Sequence, residues 1–304
     1  MNLTKVKIEE LLISIHHVLT NHLNWKVDEI SFLANGVINA VFLVKEKNLG
    51  KLAIRTPWRS EENMMDKHSS GVISLKKEAA ISEHCQKYHI PVPKVHLLYL
   101  SDDINFLVSE FVLGDDQEIS SFEIGILTSQ IHKVPLDGLS IIDQNEQTLS
   151  SIIAHRIAER AQTLSQLINT NIVIPSTEEM EAILNTSQTN NSLLHLDVRP
   201  PNLIGKNGRI QAILDWDNAF IGDPIMELMR ISESQEIAEK EFLKGYKDVA
   251  IIENTKEIIQ SIYRLDTALM LSILFISFIQ DSRKRGHYLK RVNGLSQEIK
   301  KYTG

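Results

Sequence analysis

The chain has 304 residues, 43% hydrophobic and 23% charged, a globular composition long enough to bury one large core or two medium ones. A single cysteine, Cys85, excludes an intrachain disulfide framework and fits a reducing compartment. The net charge of −7 is uneven: residues 1–109 carry 13 Lys+Arg against 12 Asp+Glu, residues 110–304 carry 19 against 27. Such an acidic second half is a poor nucleic-acid surface, because phosphate contacts need clustered Lys and Arg. It would draw in a cationic ligand, or simply keep the protein soluble.

The N-terminal stretch MNLTKVKIEELLISIHHVLTNHL lacks the pattern of a signal peptide and predicts an amphipathic helix, with Leu3, Val6, Leu11, Ile15 and Val18 near one face. Three β-rich runs follow, ISFLA, AVFLVKE and KLAIRTP, separated by turns at Asn35-Gly36 and Asn48-Leu49-Gly50. SLKKEAAISEHCQKYH predicts a helix that Pro91 and Pro93 prevent from continuing. KVHLLYL and NFLVSEFV then predict two more strands around Ser101-Asp102-Asp103. After a hinge near Glu110–Gly114 the character turns helical, with Ser121 as an expected N-cap. The longest apolar run, Ala268 to Ile279, has 12 residues, short of the roughly 20 that span a bilayer, so a buried helix is expected and a soluble cytoplasmic protein with it. Nothing in the sequence sets an oligomeric state.

The chemistry concentrates in LLHLDVRPPNLI, residues 193–204. Apolar ends bracket His195, Asp197, Arg199 and Asn202, and two prolines forbid a helix interior. A rigid loop between two short strands would hold Asp197 and Asn202 in place. Further on, ILDWDNAFIGDP ends a strand at Asp215, 13 residues past Asn202. That puts Asp197, Asn202 and Asp215 on loops at the ends of short strands, and oxygen ligands of that kind suit Mg²⁺, which keeps waters and takes one or two protein carboxylates plus substrate phosphates.

The pattern H-x-D-x-x-x-x-N followed by a strand-ending Asp resembles the protein-kinase-like fold. Asp215-Trp216-Asp217 and Gly222-Asp223-Pro224 resemble the aminoglycoside phosphotransferase and choline kinase branch more closely. The likeness runs from about residue 30 to 230. It implies an α+β fold, with a small lobe over residues 1–112, built on a five-stranded antiparallel sheet plus a helix, and a larger, mainly helical lobe over residues 113–304. NGVINAVFLV resembles the family's nucleotide loop, with Asn35 in the place of its first Gly and with Gly36 and Asn39 at other positions. Arg55 stands where the phosphate-positioning Lys is expected, and Glu78 matches the helix acid that pairs with that cation. Main-chain groups of Glu110 and Val112 would bind the adenine edge. Leu127 and His132 match a helix of the family in which the His packs rather than reacts.

The resemblance implies a Mg²⁺-dependent transfer of the γ-phosphate of ATP or GTP to a hydroxyl of a small molecule. Asp197 would orient that hydroxyl and take its proton, Arg199 would steady the γ-phosphate, Asn202 and Asp215 would hold Mg²⁺, and His195 would support the loop. Asp217 could be a supporting group or a ligand of a second metal; Asp223 and Glu227 would be structural acids. An aminoglycoside-like antibiotic is the first expected acceptor, with choline or another amino alcohol, a sugar or a macrolide as alternatives. A protein kinase is disfavoured because DWDNAFIGDP runs directly into a helix. A pseudokinase acting as a binding module has only Arg55 and the thin glycine loop in its favour.

Overall fold

The structure, a computed structural model, describes residues 3–59, 70–139, 148–187 and 190–303. The chain separates into two compact units. The first takes residues up to Glu118 and regains the chain at Asn202–Asp217; the second takes Ile119–Asp137, the residues from α4 (Leu149–Ile168) to Pro201, and everything from Asn218 onward.

In the first unit a five-stranded antiparallel sheet has the order β1-β2-β3-β5-β4, with β1 Val27–Asn35, β2 Asn39–Glu46, β3 Gly50–Pro57, β4 Val95–Tyr99 and β5 Phe106–Glu110. Side chains on a strand alternate between faces. Phe42, Val44, Leu52, Ile54, Phe106 and Val108 therefore share one face, which α1 (Lys5–His17) and the π-helical turn after it cover with Leu11, Ile15, Val18 and Leu19. Val6, expected on that face, is 68% exposed; Ile8 and Leu12 pack there instead. On the other face α2 (Gly71–Lys87) packs Leu75 and Ala79 against Leu107. The alternation that sends Ile54 to α1 leaves Arg55 facing α2.

The hairpin of β7 (Leu203–Lys206) and β8 (Arg209–Ile213) belongs to this unit. A boundary at residue 112 misses it, because the tie is made by long-range main-chain bonds. Ile213 N–H donates to Pro91 O at 2.8 Å, Asp115 N–H to Gly205 O at 2.9 Å, and Asn207 N–H to Asp115 Oδ2 at 2.8 Å.

The second unit is helical, with a short pair of strands, β6 (Ser192–Leu194) and β9 (Phe220–Gly222). Its helices are α3 (Ser121–His132), α4, α5 (Thr177–Leu184), α6 (Pro224–Ser234), α7 (Glu239–Tyr246), α8 (Ala250–Asn254), α9 (Glu257–Ser277) and α10 (Ser282–Thr303). The N-cap of α3 is Ser120, accepting from Glu123 N at 3.2 Å, one residue before the expected Ser121; Ser121 Oγ instead accepts from Ala238 N at 3.1 Å. Helices α3 and α7 cross at Gly125 and Gly245, where a Cβ would run into the facing backbone carbonyls of Phe242 and Phe122. At 21 residues α9 is long and apolar enough to cross a bilayer, yet 83% of its most apolar window is buried within the protein. It is the expected core helix, extended toward the N-terminus to include Asp266.

Candidate active site

The first unit assembles a cluster around Arg55. Its guanidinium is ion-paired to Glu78 of α2 at 2.6 Å, to Asp215 at 2.5 Å and to Asp217 at 3.2 Å. Asn39, turned with its amide oxygen toward Arg55, accepts from Nε at 2.9 Å and Nη2 at 3.1 Å. The Arg55 side chain is only 15% exposed, so these interactions act with little screening by water. Three carboxylates surround one guanidinium, a local excess of negative charge. Burial pushes the Glu78 carboxyl up to about 7; Arg55 opposes the shift and the two aspartates add to it. Burial likewise pushes Asp217 up to about 6, against the pull of Arg55.

The two aspartates have different surroundings. Asp217 Oδ1 accepts from Ser74 Oγ and its Oδ2 from Arg55, while Lys77 Nζ donates to the Asp217 carbonyl at 3.1 Å. Asp217 thus clamps the first turn of α2 to β3. Its sequence signal, a second acid after the strand-ending Asp, did not reveal which residues it would meet. Asp215 is the more exposed of the two, 36% against 14% for the side chain, and sits at a positive φ of 69°. Non-glycine residues held there are strained by about 1–3 kcal/mol and cluster at functional sites.

The β7–β8 register pairs Leu203 with Ile213, and Leu214 N–H donates to Asn202 O at 2.8 Å. This sets Asn202, which is buried, beside the residue preceding Asp215. Among the described residues no group of three or more His, Cys, Asp or Glu is arranged to hold a metal. Mg²⁺ does not require one, since it accepts one or two carboxylates and completes its shell with water and phosphate oxygens. Asn202, Asp215 and the surrounding surplus of negative charge fit that need.

Gly36 and the pair Glu110 and Val112 stand apart from this cluster. The Gly36 N–H donates to Asn39 O at 2.8 Å, so it closes the β1–β2 turn. A Cβ on Gly36 would meet only Asn39 O, at 3.9 Å, and no positive φ requires glycine there. Glu110 ends β5, its N–H donating to Lys94 O at 2.8 Å, and Val112 follows half-buried.

The second unit holds a cluster of its own. Asp197 follows Leu196, a non-glycine residue at φ 58°. That turn is held from below by Glu227 of α6, which is fully buried. Glu227 accepts from His195 N at 3.0 Å, from Leu196 N at 2.6 Å, and pairs with His132 Nε2 at 2.9 Å. Burial alone would raise the Glu227 carboxyl, but the His132 hydrogen bond and charge, with His195, bring it below the usual range. His132 Nδ1 bonds Tyr246 OH at 2.9 Å, the packed role expected for it. His195 is buried, and its Nδ1 accepts from Asp197 N at 3.2 Å, so it supports the loop and carries its proton on Nε2. Arg199 lies 3.3 Å from Asp197 and 3.8 Å from Glu236. Asp223 caps α6, accepting from Ile225 N, Ser187 Oγ and Tyr263 OH at 2.9, 2.8 and 3.0 Å.

Glu227→Gln should keep the fold but loosen the loop. A neutral amide leaves the strained turn and His132 without a charged acceptor, at about 1.5–3 kcal/mol. Thermal unfolding reads this as a lower Tm, lost mostly above the ordinary carboxylate pKa, because the native state depresses this group. A Tm equal to wild type at pH 7 would remove Glu227 from the anchoring role.

Glu78→Gln should act in the opposite sense. A folded-state pKa raised from 4.5 to about 7 means that the native state binds the proton more tightly than the unfolded state does. The Glu78 contribution therefore weakens as pH rises from about 4.5 to about 7, by up to about 3 kcal/mol. The Tm of Glu78→Gln relative to wild type should rise across that window in metal-free buffer; a flat difference would show that Glu78 is not perturbed.

A sequence-family model described as the phosphotransferase enzyme family (APH) matches residues 29–256. A search of curated proteins finds no match. Solved structures match over nearly their whole length. Aminoglycoside phosphotransferase APH(4)-Ia is 15% identical, with TM-score 0.66, covering 94% of this chain and 98% of that one. A putative fructosamine-3-kinase from Haemophilus somnus 129PT is 18% identical, with TM-score 0.66, covering 94% and 99%. A thermostable APH(4)-Ia mutant in ternary complex with AMP-PNP and hygromycin B is 14% identical, with TM-score 0.64, covering 93% and 98%.

Proposed function

The chain belongs to the phosphotransferase enzyme family and is a small-molecule kinase of protein-kinase-like fold, and on that premise we propose that it moves the γ-phosphate of ATP or GTP to a hydroxyl with the help of Mg²⁺. The observation that carries the reading is the Arg55 cluster, in which a cation of β3 meets the acid of α2 and the strand-ending Asp215. Phosphoryl transfer runs through a loose transition state, so the protein mainly positions groups and offsets charge.

Asn202 and Asp215 would hold Mg²⁺, which offsets the charge of the nucleotide phosphates when bound. Arg55, kept in place by Glu78 and Asp217, would contact phosphate oxygens, and the turn at Gly36 and Asn39 would lie over them. The main chain of Glu110 and Val112 would take the adenine edge. Asp197 would accept a hydrogen bond from the acceptor hydroxyl. As the oxygen bonds to the γ-phosphorus and the bond to the nucleoside diphosphate breaks, the hydroxyl proton passes to Asp197. Arg199 would steady the transferring group.

Aminoglycosides are the first acceptors to test, since a structural relative is solved with hygromycin B beside a nucleotide analogue. Choline and other amino alcohols, sugars and macrolides complete the panel. The assay reads nucleoside diphosphate release with Mg-ATP and Mg-GTP, with an Asp197→Asn control. Turnover that vanishes in the control supports the reading; failure of the wild type to bind Mg-nucleotide would remove it.

A further inference from the structure

The charge about Arg230, beside Asp197, is the reverse of what the net charge of residues 110–304 implies. Arg156 and Arg160 of α4 share one carboxylate of α9: Asp266 accepts from Arg156 Nη2 at 2.8 Å and from Arg160 Nη1 at 2.7 Å. Asp266 is 1% exposed, and although burial would raise its carboxyl, the two arginines hold it below the usual range.

Arg230, on α6 one turn beyond Glu227, joins this group without a carboxylate of its own. It is 8% exposed. Among the described residues the acceptor its guanidinium meets is the Met270 sulfur, at 4.0 Å. A thioether is a weak acceptor, whereas a guanidinium offers five donors in a planar fork. Burial draws Arg230 down to about 10, and of the surrounding carboxylates Asp197 does most to offset this. Asp197 acts on it as a neighbouring charge, while its oxygens lie against Arg199 at 3.3 Å. Among the described residues Arg230 forms no ion pair, and an under-compensated buried charge is destabilising, so the site favours an anionic partner. Among the described residues three arginines gather about Asp266, and Arg230, the one of them that feels the charge of Asp197, selects the sign of that partner. A planar fork matches a carboxylate or a phosphate oxyanion with two parallel hydrogen bonds.

We propose that the hydroxyl acceptor carries an anionic group, a carboxylate or a phosphate-type oxyanion, and that Arg230 binds it. The inference rests on the kinase reading above and narrows its acceptor. The acidic balance of residues 110–304 does not oppose it, because net charge acts at long range while recognition is set by groups in contact.

The test offers matched pairs of acceptors: hydroxy acids, hydroxy amino acids and sugar acids, each against its amide or neutral alcohol, and sugar monophosphates against the free sugars. Aminoglycosides, choline and macrolides run alongside. The expected result is turnover of an anionic member, with its neutral counterpart weaker by on the order of 100-fold in kcat/KM. Whether the acid or the monophosphate arm responds tells carboxylate from phosphate. Arg230→Gln should raise KM for that acceptor by a similar factor, more than it lowers kcat, and Arg230→Lys should recover part of the loss. Turnover confined to cationic or neutral acceptors, with KM unchanged in Arg230→Gln, overturns the inference and leaves the kinase reading intact. A wild type that binds no Mg-nucleotide overturns the kinase reading instead, and this inference with it.

A second measurement does not depend on finding the acceptor. Acetate and inorganic phosphate, titrated against chloride at constant ionic strength, should raise the Tm of the wild type but not that of Arg230→Gln. Arg230→Met, which replaces the charge by an apolar chain beside Met270, should unfold about 2–4 °C above the wild type in chloride. Equal anion responses in wild type and Arg230→Gln, or a lowered Tm in Arg230→Met, would make Arg230 a structural residue.

Discussion

Asp197→Asn lowers kcat by about 10²–10⁴-fold while Mg-nucleotide affinity stays within about twofold of wild type. The exchange is isosteric, and three of the contacts that shape the loop run through main-chain N–H groups. His195 and Leu196 are held through their main-chain N–H groups by Glu227, and Asp197 itself through its N–H by His195. The loss therefore falls on the group proposed to orient the hydroxyl and receive its proton. An amide still accepts one hydrogen bond, but it cannot take the proton and it offers Arg199 no charge. Nucleoside diphosphate release measures the first half of the prediction and calorimetric titration of nucleotide the second. A fully active variant would take Asp197 out of the reaction; a variant that loses nucleotide as well would mean that it holds the nucleotide rather than the acceptor.

Asp215→Ala has a broader effect, a loss of about 10³-fold or more in kcat/KM together with the Mg²⁺ dependence of nucleotide binding. Asp215 is the cluster's more exposed aspartate, whereas Asp217 is engaged on both oxygens by Ser74 and Arg55. Removing Asp215 leaves Arg55 paired with Glu78 and Asp217, so the sheet-to-α2 tie survives and the protein still folds. Nucleotide titrations with and without Mg²⁺ separate the wild type, in which the metal strengthens binding, from the variant, in which it does not. Persistence of the Mg²⁺ effect in Asp215→Ala would move the metal to another carboxylate, and Asp217→Asn is the variant to set beside it. An Asp217→Asn protein that unfolds early but keeps the Mg²⁺ effect would fit the clamp described here.

The readings that were legible in the sequence share one property: they depend on short stretches of chain. Alternation in KLAIRTP places Ile54 and Arg55 on opposite faces whatever surrounds them. The turns after Asn35 and Asn48, the prolines that end α2, and the spacing of His195, Asp197 and Asn202 are likewise local. The three antiparallel pairings among β1, β2, β3 and the hairpin of β4 and β5 follow from those elements with little further information.

What the sequence left open depends on residues far apart in the chain. Asp217 could not be assigned because its partners, Ser74 and Arg55, lie 143 and 162 residues away. Arg156 meets Asp266 across 110 residues, and α6, with nine of its eleven residues buried, shows no polar face from which Arg230 could be read as buried. Net charge points to the opposite sign from the ligand proposed for Arg230, since it sums over all residues regardless of where they lie. The sequence by itself determined the main strands and helices, the loop that carries His195, Asp197 and Asn202, and the family of reaction, because propensity, periodicity and turn chemistry act over a few residues. Only the tertiary structure decided which charges are paired, which aspartate is the more exposed and which arginine forms no ion pair among the described residues, because the energy of a charge depends on burial and on neighbours that the fold brings within a few ångströms.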